Sequence, residues 1–372
     1  MWYDKRVDIA IIGASGDCGR QIAGQLIAAR LLAPTERLQL VGRKGGKSER
    51  FLYGLISDIT DAYAEHVPDL EVALSPKDVV ADLWVIAAGQ TIPTEGAPIR
   101  REDLAKANAV MFADYAEALA ANGQGTEVVI VASNPVELGV ALFARAIGRE
   151  RVIGIGAHQD SLRLRREIAS DLGVRRQRVG GFLIGEHGDL QTPIWSSVSV
   201  HGIVGDELAQ SLRHIRRGTG NTPFAELVRA ARESISPWLK ERQYAEAFEF
   251  LESLSPDVRV LLKPFVTQLT GAKTCIATAN ATIDMVRILL DGREAVVAGQ
   301  AMLEAGDFYG LTGPLGVPLS VSHSGITRIV EIPLSASEES QVRSISAQVT
   351  SKVNRWIGEL DNPSQTARGE AE

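Results

Sequence analysis

Two short stretches near the middle of the chain hold side chains suited to moving a proton and gripping an anion. Gly185-Glu-His187-Gly-Asp189 sets a histidine among glycines and acids. An imidazole titrating at about 6.5 is poised for proton transfer near neutral pH. Asp160-Ser-Leu-Arg163 spaces a carboxylate and a guanidinium at i and i+3, which puts both on one helix face. Each stretch alone also has a plain structural reading. Asp160 can start a helix, Arg163 can pair with Glu167, and His187 can be a satisfied histidine beside glycines.

A third stretch, Gly13-Ala-Ser15-Gly16-Asp17-Cys18-Gly19, follows an apolar run and opens a helical pattern. Glycines there permit a tight turn, and a helix N-terminus presents N–H groups to a pyrophosphate. The spacing is Gly-x-x-Gly-x-x-Gly, so the strand–turn–helix context carries the dinucleotide reading; the alternative is a strand–helix turn of another α/β protein. NAD-binding folds place an Asp or Glu at the end of the second strand for the ribose 2′-hydroxyl. Here that place holds Gly42-Arg43-Lys44-Gly-Gly-Lys47-Ser48. An Arg fork and two Lys charges suit a 2′-phosphate, so NADP is expected over NAD, with Arg43 the leading partner. The alternative is a solvated basic loop.

These groups need elements to position them. Apolar runs at 7–13, 38–41, 81–88 and 127–132 read as buried strands, each stopping at glycine or at Ser133-Asn134-Pro135. Helical patterns fill 19–32 and 102–121, the latter with Leu104, Met111, Tyr115 and Leu119 near one stripe. Strands apolar throughout, alternating with helices, predict a Rossmann-type, doubly wound parallel α/β sheet. The second half reads as α+β. It has strands at 179–185, 194–200 and 317–332, the last broken by a hairpin at Ser322-His-Ser-Gly325. Helices are predicted at 161–172, 206–217, 224–250, 276–291 and 336–357. The expected division is a dinucleotide-binding domain at 5–156, a substrate domain at 157–359 and a polar, disordered tail at 360–372.

Composition bounds the partners. A chain of 372 residues suits two domains sharing a cleft. With 39 Lys+Arg against 46 Asp+Glu, the net charge of −7 argues against a nucleic-acid footprint. No apolar run approaches the roughly 18–20 residues that span a bilayer, and acids stand where a signal peptide would carry its apolar core. Cys18 and Cys275 make neither a disulfide framework nor a CxxC metal site. The expectation is a cytoplasmic enzyme without a metal.

Taken in order, the glycine turn, Ala87-Ala-Gly89, Arg100-Arg101-Glu-Asp-Leu-Ala-Lys-Ala-Asn108, Ser133-Asn134-Pro135-Val-Glu137, Asp160-Ser-Leu-Arg163 and Gly185-Glu-His187-Gly-Asp189 resemble the lactate/malate dehydrogenase family. The resemblance runs from Val7 to about Gly358. It implies hydride transfer between NAD(P) and a 2-hydroxy acid/2-oxo acid pair, in a homodimer or homotetramer. It makes His187 the base, Asp160 its orienting carboxylate, and Arg163 the clamp on the substrate carboxylate. Arg101 matches the arginine that polarises the carbonyl, Asn134 the asparagine touching substrate and nicotinamide, and Asn108 a cofactor contact. Gly13, Ser15, Gly16, Asp17, Cys18, Gly19 and Gly89 fall in the cofactor-binding stretches.

The sequence departs from the family in two places. Residues 90–99 carry extra positions, no cation and Glu95, whereas malate enzymes keep an early loop Arg for a second carboxylate. Arg100 is the substitute within reach, so the substrate is expected not to be strictly oxaloacetate. The segment 201–270 is also longer than usual. Two rival readings are a catalytically weak dinucleotide sensor and an NAD- and metal-dependent glycoside hydrolase of related fold. The retained His187, Asp160, Arg163 and Arg101 weigh against the first, and the lack of a Cys/His metal pair against the second.

Overall fold

The computed structural model describes residues 6–90 and 101–362. Strands β1 (Ile9–Ile12), β2 (Arg37–Val41), β3 (Asp69–Ala73), β4 (Leu83–Ile86), β5 (Val128–Val131) and β6 (Val152–Gly154) pair in parallel, in the order 3-2-1-4-5-6. That order reverses between β1 and β4, which opens a crevice beyond the carboxyl ends of the strands. Strands covered on both faces must be apolar throughout, and every residue of β1, β4, β5 and β6 is buried. β3 alternates polar and apolar residues at the sheet edge, so apolar runs do not reveal it.

Four helices accompany this half: α1 (Asp17–Ala28), α2 (Lys47–Ala62), α3 (Arg101–Asn122) and α4 (Val136–Ile147). Ile22, Leu26 and Ile27 of α1 are buried as their spacing requires. In a separate core cluster, Phe112 of α3 meets Phe143 of α4 edge-on, with centroids 6.5 Å apart.

The second half comprises α5 (Gly156–Asp171), β7 (Val179–Gly185), β8 (Gln191–Val200), α6 (Gly205–Ile215), α7 (Phe224–Lys240), α8 (Tyr244–Glu252), α9 (Pro256–Leu269), α10 (Cys275–Asp291), β9 (Ala295–Leu303), β10 (Gly313–Ser322), β11 (Gly325–Ile329) and α11 (Ala336–Asp361). Its strands do not form a separate sheet. β9 joins β6 antiparallel at Gly154–Gln300, β10 follows β9, β7 joins β10 at Gly316–Gly185, and β8 lies outermost. The hairpin expected at 322–325 is present, with Ser322 opposite Gly325.

Three expectations change. α5 begins at Gly156, so Asp160 lies in its second turn and not at its start. The single helix expected over 224–250 is two, because Arg242 takes a left-handed φ of 58° between α7 and α8. With α9, which was not foreseen, these helices pack Ile235, Leu251 and Leu262 against Leu164 and Ile168 of α5 in a core of their own. Finally, α11 runs on through Asp361, with Trp356 buried, so Leu360 and Asp361 are helical and not part of a tail. Residues 363–372 of the expected tail lie outside the described residues. No described helix is long and apolar enough to cross a membrane.

Candidate active site

His187 follows β7, directly beside the start of α5. A Cβ on Gly156 would lie 2.3 Å from His187 Cβ, so this approach requires glycine. His187 Nδ1 is 2.8 Å from Asp160 Oδ2, and Asp160 Oδ1 accepts from Arg163 Nη1 at 2.7 Å. The i,i+3 spacing has therefore paired Arg163 with Asp160 and not with Glu167. Burial opposes charge on Asp160, but His187 and Arg163 outweigh it and hold the carboxyl below its usual range. Burial likewise disfavours the imidazolium of His187, yet the Asp160 carboxylate prevails and its pKa is raised.

The main chain of His187 is held as well. Its N–H donates to Glu137 Oε1 of α4 at 2.7 Å, and the neighbouring Glu186 accepts from Lys352 Nζ of α11 at 2.7 Å. Burial, then the Glu186 charge, pushes the Glu137 carboxyl up to about 7. On the solvent side, Arg232 of α7 donates to Asp189 at 2.5 Å. Glu137, Lys352 and Arg232 acquire these roles through contacts distant in sequence, which no local spacing signals.

The glycine turn sits at the carboxyl end of β1. Gly13 has a φ of 88°, and a Cβ there would lie 2.5 Å from Ala88 Cα; one on Gly19 would lie 2.2 Å from Gly13 O. Gly16 caps α1 with extended backbone and no side-chain hydrogen bond, so no cap side chain takes the first-turn N–H groups. This suits a pyrophosphate. Ser15 is half-buried within the turn. Asp17 pairs with Arg20 and Lys273, each at 2.5 Å; the Lys273 bond, then that of Arg20, lowers its pKa. Burial, and after it the neighbouring Cys275 of α10, pushes the Cys18 thiol up to about 12. The side chains of Asp17 and Cys18 thus serve the contact of α1 with α10 and with Lys273 just before it.

Gly89 and Asn134 lie past the ends of β4 and β5, in the same crest as the glycine turn. Asn108 is 1% exposed. Its amide donates to Asn134 O at 2.7 Å and Gln90 O at 3.1 Å, and accepts from Gln90 N at 2.7 Å. Asn108 therefore ties the two strand ends together through its side-chain amide. Arg101 is the first residue of α3, its side chain outside the described residues, as is all of Arg100.

β2 is followed by Gly42, where a Cβ would come within 2.6 Å of the Cδ1 tip of the Leu52 side chain. Arg43, Lys44 and Lys47 are exposed. The Arg43 main chain both donates to and accepts from Ser48 Oγ at 3.0 Å. Glu49 accepts from Gly45 N at 2.6 Å, placing one carboxylate within the basic turn. Among the described residues, no group of three or more His, Cys, Asp or Glu is placed to hold a metal ion.

The chain is similar to known proteins along most of its length. Residues 7–154 match the family model of the lactate/malate dehydrogenase NAD binding domain, and residues 218–359 that of the lactate/malate dehydrogenase alpha/beta C-terminal domain. The L-lactate dehydrogenase of Latilactobacillus sakei is 27% identical over 327 residues, covering 86% of this chain and 90% of that protein. The L-2-hydroxycarboxylate dehydrogenase (NAD(P)(+)) of Methanocaldococcus jannaschii is 28% identical over 338 residues, covering 89% and 93%. Among solved structures, the lactate dehydrogenase of Cryptosporidium parvum, complexed with lactic acid and nicotinamide adenine dinucleotide, superposes with a TM-score of 0.71 at 25% identity, covering 96% of this chain and 99% of that one.

Proposed function

The chain belongs to the lactate/malate dehydrogenase family, and from that premise we propose how its residues oxidise a 2-hydroxy acid to the 2-oxo acid and catalyse the reverse. The protein is an NAD-dependent 2-hydroxy acid dehydrogenase. The observation that carries the assignment of roles is the connected chain His187–Asp160–Arg163, with links of 2.8 and 2.7 Å.

Asp160 accepts from Nδ1–H and leaves Nε2 of His187 to take the hydroxyl proton of the substrate. The carboxylate then stabilises the imidazolium, which returns the proton when the 2-oxo acid is reduced. Arg163, oriented by its bond to Asp160, grips the substrate carboxylate. Arg101, with Arg100 as a further candidate, polarises the carbonyl oxygen, and Asn134 aligns substrate with cofactor. A bound nicotinamide dinucleotide supplies the hydride acceptor and donor.

The finer reading has four parts. NADP is preferred over NAD, because position 42 carries no acid to repel a 2′-phosphate and Arg43 is exposed beside it. The substrate is a 2-oxo acid other than oxaloacetate alone, since residues 90–99 hold no cation and do hold Glu95. The enzyme works in the cytoplasm, a reducing compartment that suits its two free thiols. It self-associates as a homodimer or homotetramer; Tyr53 at 58% and Ile276 at 68% exposure leave apolar surface for this. No observation favours the sensor or the glycoside hydrolase. The test is turnover of NADPH and NADH with pyruvate, oxaloacetate and bulkier 2-oxo acids. Reduction of at least one, lost in His187→Gln, is expected; unchanged turnover in that variant would overturn the assignment.

A further inference from the structure

Two carboxyl groups lie buried behind His187, and the proton transfer described above uses neither. Glu137 is 2% exposed in the first turn of α4, and Glu186 is 4% exposed next to His187 in the loop after β7. Carboxylates so enclosed are costly unless they are hydrogen-bonded or paired. Glu186 is paired with Lys352 of α11 at 2.7 Å, and its own N–H closes the loop onto Leu190 O at 2.6 Å. Glu137 instead accepts the main-chain N–H of His187 at 2.7 Å.

Each element around this carboxyl contributes a charge. The loop brings Glu186 and the His187 ring, α5 brings Asp160 to Nδ1 of that ring with Arg163 bound to Asp160, and α11 brings Lys352 to Glu186. Glu186 has Lys352 as its partner, while a charge on Glu137 is favoured by the His187 N–H and by a charged His187 ring. A proton gained by the imidazole stabilises a proton lost from Glu137, and the reverse holds equally.

We propose that Glu137 is a positioning residue for His187: its carboxyl anchors the His187 main chain and, when ionised, stabilises the protonated imidazole. The proposal rests on the reading of His187 as the base, which it deepens by adding to Asp160 a second negative charge that favours the imidazolium. The elevated pKa of Glu137, near 7 through burial and the Glu186 charge, places its titration in the range where His187 works.

The substitution Glu137→Gln separates the two roles. A glutamine oxygen still accepts the main-chain N–H, but the charge is gone. The measurement is a pH titration of the His187 imidazole by NMR in the full-length protein, its signals assigned by their loss in His187→Gln. In Glu137→Gln the midpoint is expected to fall by about half a pH unit or more. The alkaline limb of kcat/KM for 2-oxo acid reduction should move down with it, leaving KM near the parent value. Glu137→Ala removes anchor and charge together and should also lower kcat about tenfold or more. An unmoved imidazole midpoint in Glu137→Gln would overturn the proposal, whether or not the alanine variant folds. If that midpoint moves while His187→Gln keeps full turnover, the reading of His187 as the base fails and the positioning contact stands.

Discussion

Arg259 Nε lies 2.7 Å from Glu167 Oε2, with the two side chains only 1% and 3% exposed. The same guanidinium reaches Asp171 at 2.6 Å and Leu254 O at 2.7 Å, while Lys263 reaches Glu167 at 2.9 Å. Both acids belong to α5, the helix that carries Asp160 and Arg163, and both cations belong to α9. The long segment between β8 and α10 thus braces the helix beneath the site.

Replacing Arg259 by Met should expose the worth of that brace. Removing one partner of a buried pair costs about 3–5 kcal/mol where the charge left behind is unpaired, and because Glu167 keeps Lys263 a loss at the lower end is expected. Burial opposes the Glu167 charge, but Lys263, Arg166 and Arg259 outweigh it, so its folded pKa is depressed. A depressed carboxyl stabilises the fold above its unfolded value, about 4.3, and that stability is lost as pH falls through the folded value. Urea unfolding at neutral pH should show the loss, and acid titration a shallower decline in the variant. Equal midpoints for parent and variant would show that the network contributes nothing.

The Asp160→Asn variant tests the pair at the centre. His187 has a raised pKa, so the imidazolium that reduction needs persists to higher pH and disappears as pH climbs through that value. Without the carboxylate, the alkaline limb of 2-oxo acid reduction should move to lower pH, and kcat should drop by about 10²–10⁴. Cofactor affinity, read by quenching of tryptophan fluorescence, should hardly change. A limb left in place would mean that Asp160 does not govern the imidazole.

Arg163→Lys should raise KM for the 2-oxo acid about tenfold or more, because a point charge cannot reproduce a two-pronged grip. The lysine also loses the geometry of the 2.7 Å bond to Asp160. Steady-state kinetics at saturating cofactor separate this from an effect confined to kcat, which would contradict a clamp on the substrate.

For the nucleotide, Arg43→Ala should raise KM for NADPH about tenfold and leave NADH almost unaltered, as loss of one charge-assisted contact to a 2′-phosphate requires. Equal effects on the two cofactors, or none, would remove Arg43 from recognition.

Much of the site was legible because its signals are local. The turn from Gly13 to Gly19, the i,i+3 pair Asp160/Arg163 and the glycine-flanked His187 each declare a geometry within a few residues, and the structure joins the last two. The apolar strands were legible for the same reason, as burial on both faces leaves an uninterrupted run. What stayed hidden depends on distance along the chain. Arg259 looks like a surface residue until Glu167 and Asp171 are folded against it, and Lys352 reaches Glu186 from the far end of the chain. Nor does local spacing show that the amide of Asn108 closes onto Gln90 and Asn134. β9 was missed because Ala295–Leu303 mixes small and polar residues, including the wholly buried Gln300, whose amide oxygen accepts from Ala157 N at 3.0 Å.

The two halves meet along a seam of glycines. A Cβ on Gly154 would fall 2.7 Å from Gln300 Cβ, and one on Gly316 would fall 2.6 Å from both Ala157 Cβ and Gly185 O. Gly154 thus lies against the side chains of Val136 and Gln300 where β6 passes to β9, and Gly316 against the main chain of Gly185 where β10 passes to β7, so even a methyl group would displace neighbours at both joints. The molecule therefore has no natural cutting line there. Expressed alone, the N-terminal half would bare the β6 edge, an invitation to aggregate, and a chimera would inherit a working joint only if both donors kept these glycines in step.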